Sequence, residues 1–197
     1  MGQPAMHPAA MTRATLFSGR KAQILDTLSD MLGQADCGRV TTAALAARLA
    51  LSEGALYRHF NGKSDIFAAL IEQADALIAE DLDHIMATES DARVRLRKNL
   101  LALRLFAERH PGLARVLTGH AITGESPELL DRANAVIDDL QARLAQDAAK
   151  AGADLGAAPD TAACVLMHWV LGCWQRQAMG GLPATDSPGG DLAFFRL

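Results

Sequence analysis

Apolar residues recur along this chain every three or four positions, and no stretch alternates β-branched with polar residues. Ile24, Leu25, Leu28, Met31 and Leu32 form one stripe, which predicts an amphipathic helix over about Ser18 to Gln34. A second, shorter stripe of Leu45, Ala46 and Leu49 follows Thr41 and Thr42, either of which can cap it, and ends near Ala50. Ser52 is placed to cap a third helix over about Glu53 to Phe60, with Leu56 and Phe60 four apart on its inner face. Asn61-Gly62 breaks the chain before a long helix that begins near Lys63. Further helices are expected over about Asp91 to Arg109, Pro111 to Ile122, Pro127 to Ala151 and Pro159 to Met179. Proline in the first turn and Gly152 past an end are the expected punctuation. The pattern predicts an all-α chain: a three-helix head carrying a helix-turn-helix, on a C-terminal helical body.

Composition agrees, with half the residues hydrophobic, few aromatics and an excess of Ala and Leu. Residues 1–17 are expected to form a disordered tail, residues 18–64 the head and residues 65–197 the body. The segment GGLPATDSPGG has the composition of a flexible linker. No apolar run reaches the roughly 18 residues that a membrane span needs, and residues 1–11 lack the pattern of a signal peptide. A cytoplasmic protein without membrane partners is expected.

The net charge of −4 is unevenly spread. Between Thr12 and Ser64, seven basic residues (Arg13, Arg20, Lys21, Arg39, Arg48, Arg58, Lys63) face four acidic ones (Asp26, Asp30, Asp36, Glu53). That stretch carries +3 and the remainder −7. A basic head on an acidic body suits a protein whose head meets nucleic acid.

A helix-turn-helix reads DNA by setting the N-terminal part of its second helix in the major groove, buttressed by the first. Ala43, Ala44, Ala46 and Ala47 allow close approach between the two helices. Tyr57, Arg58 and His59 lie between the inward-facing Leu56 and Phe60 and supply donors for phosphates or base edges. Thr41, Thr42, Ser52, Gly54 and Lys63 complete the candidate DNA contacts, most of them at or near helix N-termini, where phosphate binds well. Periodicity alone equally allows an ordinary helical hairpin with a solvated basic face.

The order TTAALA, LSEGALYRHF, Lys63 resembles the TetR family of DNA-binding proteins, over about Arg20 to Leu70. That resemblance implies a homodimer on a near-palindromic double-stranded site. Two body stretches, FAERHPGLARVLTGHAI (106–122) and RANAVIDDLQARL (132–144), resemble a nucleoid-occlusion branch of the same family. That second resemblance implies a nucleoid-associated protein that inhibits assembly of the division GTPase FtsZ when bound to chromosomal DNA. It places Arg109 and Gln73 at the partner groove, with Gln73 and His110 departing from the usual residues. A ligand-responsive TetR-type repressor is the alternative.

The late stripe Ala162, Val165, Leu166, Trp169, Val170, Cys173 and Trp174 fits the monomer core, a ligand pocket or a dimer contact. Ile137, Leu140, Leu144, Val165, Trp169, Val170 and Trp174 are expected to form the dimer interface. Cys164 and His168, four apart, are too few for a metal site without nearby carboxylates. The basic cluster Arg93, Arg95, Arg97 and Lys98 fits a solvated helix face or, less readily, a contact with an acidic peptide. No phosphate loop or nucleophile elbow is present, so no catalytic residue, cofactor or metal is assigned and no enzyme activity is expected.

Overall fold

The computed structural model describes residues 19–34, 38–152 and 157–180. Among them the order is α1 (Arg20–Gly33), α2 (Thr42–Arg48), α3 (Glu53–Leu56), α4 (Lys63–Thr88), α5 (Ala92–Arg109), α6 (Pro111–Leu117), α7 (Pro127–Ala151) and α8 (Pro159–Ala178). All described secondary structure is helical, as the periodicity predicts. The expected tail over residues 1–17, the GGLPATDSPGG segment after its first glycine and the closing DLAFFRL lie outside the described residues.

Helix ends follow from local chemistry. The Thr41 hydroxyl accepts the Ala44 N–H at 3.1 Å and so caps α2. Helix α2 stops in a Schellman motif: Leu51 N–H donates to the Ala46 carbonyl and Ala50 N–H to that of Ala47. Ala50 takes φ 53° to make this turn, a left-handed conformation that disfavours any residue with a Cβ. Asp91 caps α5 by accepting from the N–H groups of Arg93 and Val94, and these bonds hold its carboxyl below the usual range.

Two expected helices are shorter in the structure. Helix α3 ends at Leu56, and Tyr57, Arg58 and His59 form a turn that still winds helically, with His59 N–H donating to the Leu56 carbonyl. Helix α6 ends at Leu117 because Gly119, at φ 82°, turns the chain into the connection that leads to α7.

One contiguous core runs from the head into the body, from Ile24, Leu45, Leu56 and Phe60 through Phe67 and Leu70 to Leu144 and Trp174. Leu49, expected in that core, is half-buried at its edge. Helix α4 belongs to both regions, its first turns packing into the head and its later ones against α5 and α7. The most extensive contact between head and body is α1 on α6. It depends on Gly112, where an added Cβ would land on the Ser29 carbonyl.

Arg115 ties this corner together. Its guanidinium donates to the Leu32 and Gln34 carbonyls at the end of α1 (2.8 and 2.6 Å) and to the Ala178 carbonyl at the end of α8 (2.5 Å). One cation thereby satisfies the orphan acceptors of two helix C-termini and their dipoles. Deeper in the body, Arg95 pairs with Asp147 at 2.6 Å and Asn99 donates to the same carboxylate at 2.8 Å, all three buried.

Candidate nucleic-acid interface

Two of the sequence-predicted contacts, Thr42 and Tyr57, are tied together across α2 and the turn after α3. The Thr42 hydroxyl donates to Glu53 Oε2 at 2.8 Å, and the Tyr57 hydroxyl donates to Thr42 Oγ1 at 3.4 Å. This chain fixes the angle between the two helices from their outer face, while Leu45 and Leu56 fix it from within. Glu53 was counted in the sequence only as a charge, and its role in orienting Thr42 and Tyr57 depends on the fold. Ser52 caps α3 by accepting the Ala55 N–H at 3.2 Å.

Tyr57 is 44% exposed, and Thr41, Ser52, Gly54 and Arg58 are exposed beside it. Thr42, His59 and Lys63 are half-buried. The side chains among these eight offer hydroxyls, an imidazole, a guanidinium and an ammonium as donors, and Thr41, Thr42 and Lys63 meet at one place. A narrow crevice, with room for about one water, opens there between Leu28, Val40, Thr41, Thr42, Leu45, Lys63, Ile66 and Phe67.

Two cations at this region meet a carboxylate from the body. Lys63 Nζ lies 2.6 Å from Glu125 Oε1, and Arg39 Nη2 lies 3.2 Å from the same oxygen. Burial of Glu125 works to raise its pKa, but the hydrogen bonds and charges of Lys63 and then Arg39 outweigh it and hold the carboxyl below its usual range. Glu125 sits 62 residues after Lys63, so no local sequence signal joins them.

Several expectations about the body need correction. Gln73, expected at a partner groove, is 4% exposed and donates to Asp26 Oδ1 at 3.1 Å, joining α4 to α1. A side chain so placed has no surface to offer a partner. Arg109 is about half-exposed at the end of α5 and pairs with Asp81 of α4 at 2.6 Å.

Of the residues assigned to a dimer interface, Leu140, Leu144, Val170 and Trp174 are buried in the chain's own core. Trp174 donates its indole N–H to the Leu103 carbonyl at 2.7 Å and its ring lies 5.5 Å from that of Phe106. The helical stripe was broad enough to serve two faces, and tertiary packing took the larger part for the monomer. Val165 is 54% exposed, and Ile137 and Trp169 are half-buried at the rim of the core.

Arg95, counted in the sequence with a basic surface cluster, is likewise buried against Asp147. His168 Nδ1 lies 2.7 Å from the carbonyl of Cys164, so it serves its own helix. Among the described residues no three His, Cys, Asp or Glu are grouped to hold a metal ion, and no helix is long and apolar enough to cross a membrane.

A compact helix-turn-helix head joined by one long helix to a helical body defines a regulator of the TetR type, and the comparisons agree. The family model "Bacterial regulatory proteins, tetR family" matches residues 24–70. A second model, "Tetracyclin repressor-like, C-terminal domain", of SlmA-like type, matches residues 90–176. A TetR-like transcriptional regulator from Rhodococcus sp. RHA1 shares the fold with a TM-score of 0.71 at 21% identity, over 94% of this chain and 95% of that one. The ketosteroid transcriptional regulator KstR2 of Mycobacterium tuberculosis does so with a TM-score of 0.70 at 15% identity, over 91% and 94%.

Nearer relatives are nucleoid occlusion factors called SlmA. That of Escherichia coli O1:K1 is 41% identical over 135 residues, 68% of each chain. That of Vibrio vulnificus strain YJ016 is 40% identical over 130 residues, so the match spans just under two thirds of that relative's length, at 66% of each chain. This chain belongs to the TetR family, in the branch of the SlmA nucleoid occlusion factors.

Proposed function

We propose that this protein is a non-enzymatic nucleoid occlusion factor: a homodimer that binds near-palindromic sites on chromosomal DNA and, so bound, inhibits FtsZ assembly. One observation carries the reading: the likeness to nucleoid occlusion factors extends beyond the head into the body, over residues 90–176. Bodies are where proteins sharing a DNA-binding head diverge in purpose, so likeness there bears on function more than likeness in the head.

In this reading Tyr57, Arg58, His59 and Lys63 contact DNA together with the hydroxyls of Thr41, Thr42 and Ser52 and the exposed backbone at Gly54. Phosphate contacts set position and affinity, and side chains reaching base edges set sequence preference. The exposed flank of α7 and α8 around Val165, with Ile137 and Trp169 at its edge, serves as the dimer contact. Two heads joined there would meet successive major grooves about one helical turn apart. Arg109 remains the candidate FtsZ contact, because its ion pair with Asp81 is exposed and can be exchanged for a partner's carboxylate.

Sedimentation of FtsZ polymers tests the proposal. Protein with a DNA site recovered by genome-wide mapping is expected to reduce the GTP-dependent pellet. Unchanged pellets at saturating DNA and protein would refute it. A ligand-responsive repressor finds no support in the late apolar helix, since Leu166, Met167, Val170 and Trp174 are consumed in packing.

A further inference from the structure

The pairing of Lys63 and Arg39 with Glu125 has no counterpart in the sequence-predicted site, and it joins the body to the face expected to meet DNA. The connection that carries Glu125 is a built turn. Gly119 takes φ 82°, the Thr123 hydroxyl donates to the Gly119 carbonyl at 2.9 Å, and Glu125 N–H donates to the Ile122 carbonyl at 3.0 Å. Ile122, 1% exposed, pins that turn to the core. The Glu125 side chain is 11% exposed and Lys63 24%, whereas Arg39 is 72% exposed. An ammonium and a guanidinium therefore converge on a single oxygen, with the guanidinium open to solvent and beside Thr41 in the chain.

We infer that Arg39 and Lys63 form one binding site for a phosphate of the DNA backbone, and that the Glu125 carboxylate occupies this site when DNA is absent. A phosphodiester and a carboxylate each carry one negative charge and present oxygens to the same donors, so one replaces the other without leaving a cation unpaired. Both cations belong to the head, on either side of the Thr41 and Thr42 hydroxyls in sequence. The anion belongs to the body, on a turn held in place by Ile122. Binding of a phosphate detaches that turn from the head and so reports the occupied state to α7, which begins two residues later. A tethered competitor of this kind weakens DNA binding, because each association must first displace it.

The inference rests on the DNA-binding reading, and the test separates the two. Full-length protein and its Glu125→Gln variant are titrated with a fluorescent mixed-sequence duplex of about 30 base pairs at several salt concentrations. A nonspecific duplex suffices because phosphate contacts do not depend on sequence. Glu125→Gln is expected to bind about two- to fivefold more tightly, the range set by a partly exposed ion pair. Its log–log salt slope is expected to steepen by up to about one, the contribution of a single phosphate contact, since counterions rather than the carboxylate are then displaced. Adding Arg39→Ala to that variant should remove much of the gain.

If wild-type protein binds no duplex even at low salt, the DNA reading falls and this site falls with it. If wild type binds and Glu125→Gln binds equally or more weakly, the occupied-site inference alone is overturned, and Glu125 is then a brace that positions Lys63. Circular dichroism and thermal unfolding of the isosteric variant establish that it is folded. Glu125→Ala, read the same way, removes any residual hydrogen bonding by the amide.

Discussion

At the scale of single residues, small side chains in tight places matter as much as charged ones. Gly112 is the sharpest case, since its Cα faces the Ser29 backbone with no room for a methyl group. Gly112→Ala would either push α1 off α6 or bend one of them. Overpacking of this kind costs about 1–3 kcal/mol, which thermal or urea unfolding would register as a lowered midpoint; an unchanged midpoint would show that the two helices can slide apart freely. Gln73 makes the complementary point. Its position on α4 marked it as a candidate partner contact, yet it is turned inward to Asp26. A polar residue on an otherwise apolar helical face carries no sequence mark that says which way it points. Its burial was settled by where α1 crosses α4.

Among the elements, α7 and α8 divide their apolar surface between two uses. Leu140, Leu144, Val170 and Trp174 close the body core, and Val165 stays in solvent. Val165→Arg should leave the monomer folded, because that side chain contributes little to the core. It should also weaken self-association by about 2 kcal/mol, or about thirtyfold, if the flank is the dimer contact. Sedimentation velocity over a dilution series checks this, and an undiminished dimer would move the interface elsewhere. The head elements are held differently. Glu53, Thr42 and Tyr57 form a short polar chain across the outer face of the turn, so the candidate contacts Thr42 and Tyr57 are held by their neighbours.

Across the whole molecule, head and body are joined by the α1–α6 contact, by Arg115 spanning two helix C-termini, and by Glu125 on Lys63 and Arg39. The last of these depends on pH with a definite sign. The folded-state pKa of Glu125 is depressed below the ordinary 4.5. Its pairs therefore contribute stability above that value, and the contribution is lost as pH falls through the depressed one. Wild type should be more stable than Glu125→Gln near neutrality, by about 1 kcal/mol or less for pairs of this exposure. That gap should close on acidification. Unfolding midpoints of both proteins measured from pH 7 downward check this, and a gap independent of pH would mean that the carboxylate charge contributes nothing.

Much of the molecule was legible in the chain itself. Helical periodicity, prolines at first turns and hydroxyl caps at Thr41 and Ser52 located the elements, because helix formation and capping depend on neighbours within a few residues. The order of Thr-Thr, small residues, Tyr57 and Lys63 located the candidate DNA face for the same reason. Tertiary structure alone decided which half of a broad apolar stripe is core, that Gln73 and Arg95 are buried, and that Glu125 reaches Lys63 across 62 positions. Those outcomes depend on how helices cross, which is set by the packing of the whole core and leaves no trace in any local pattern.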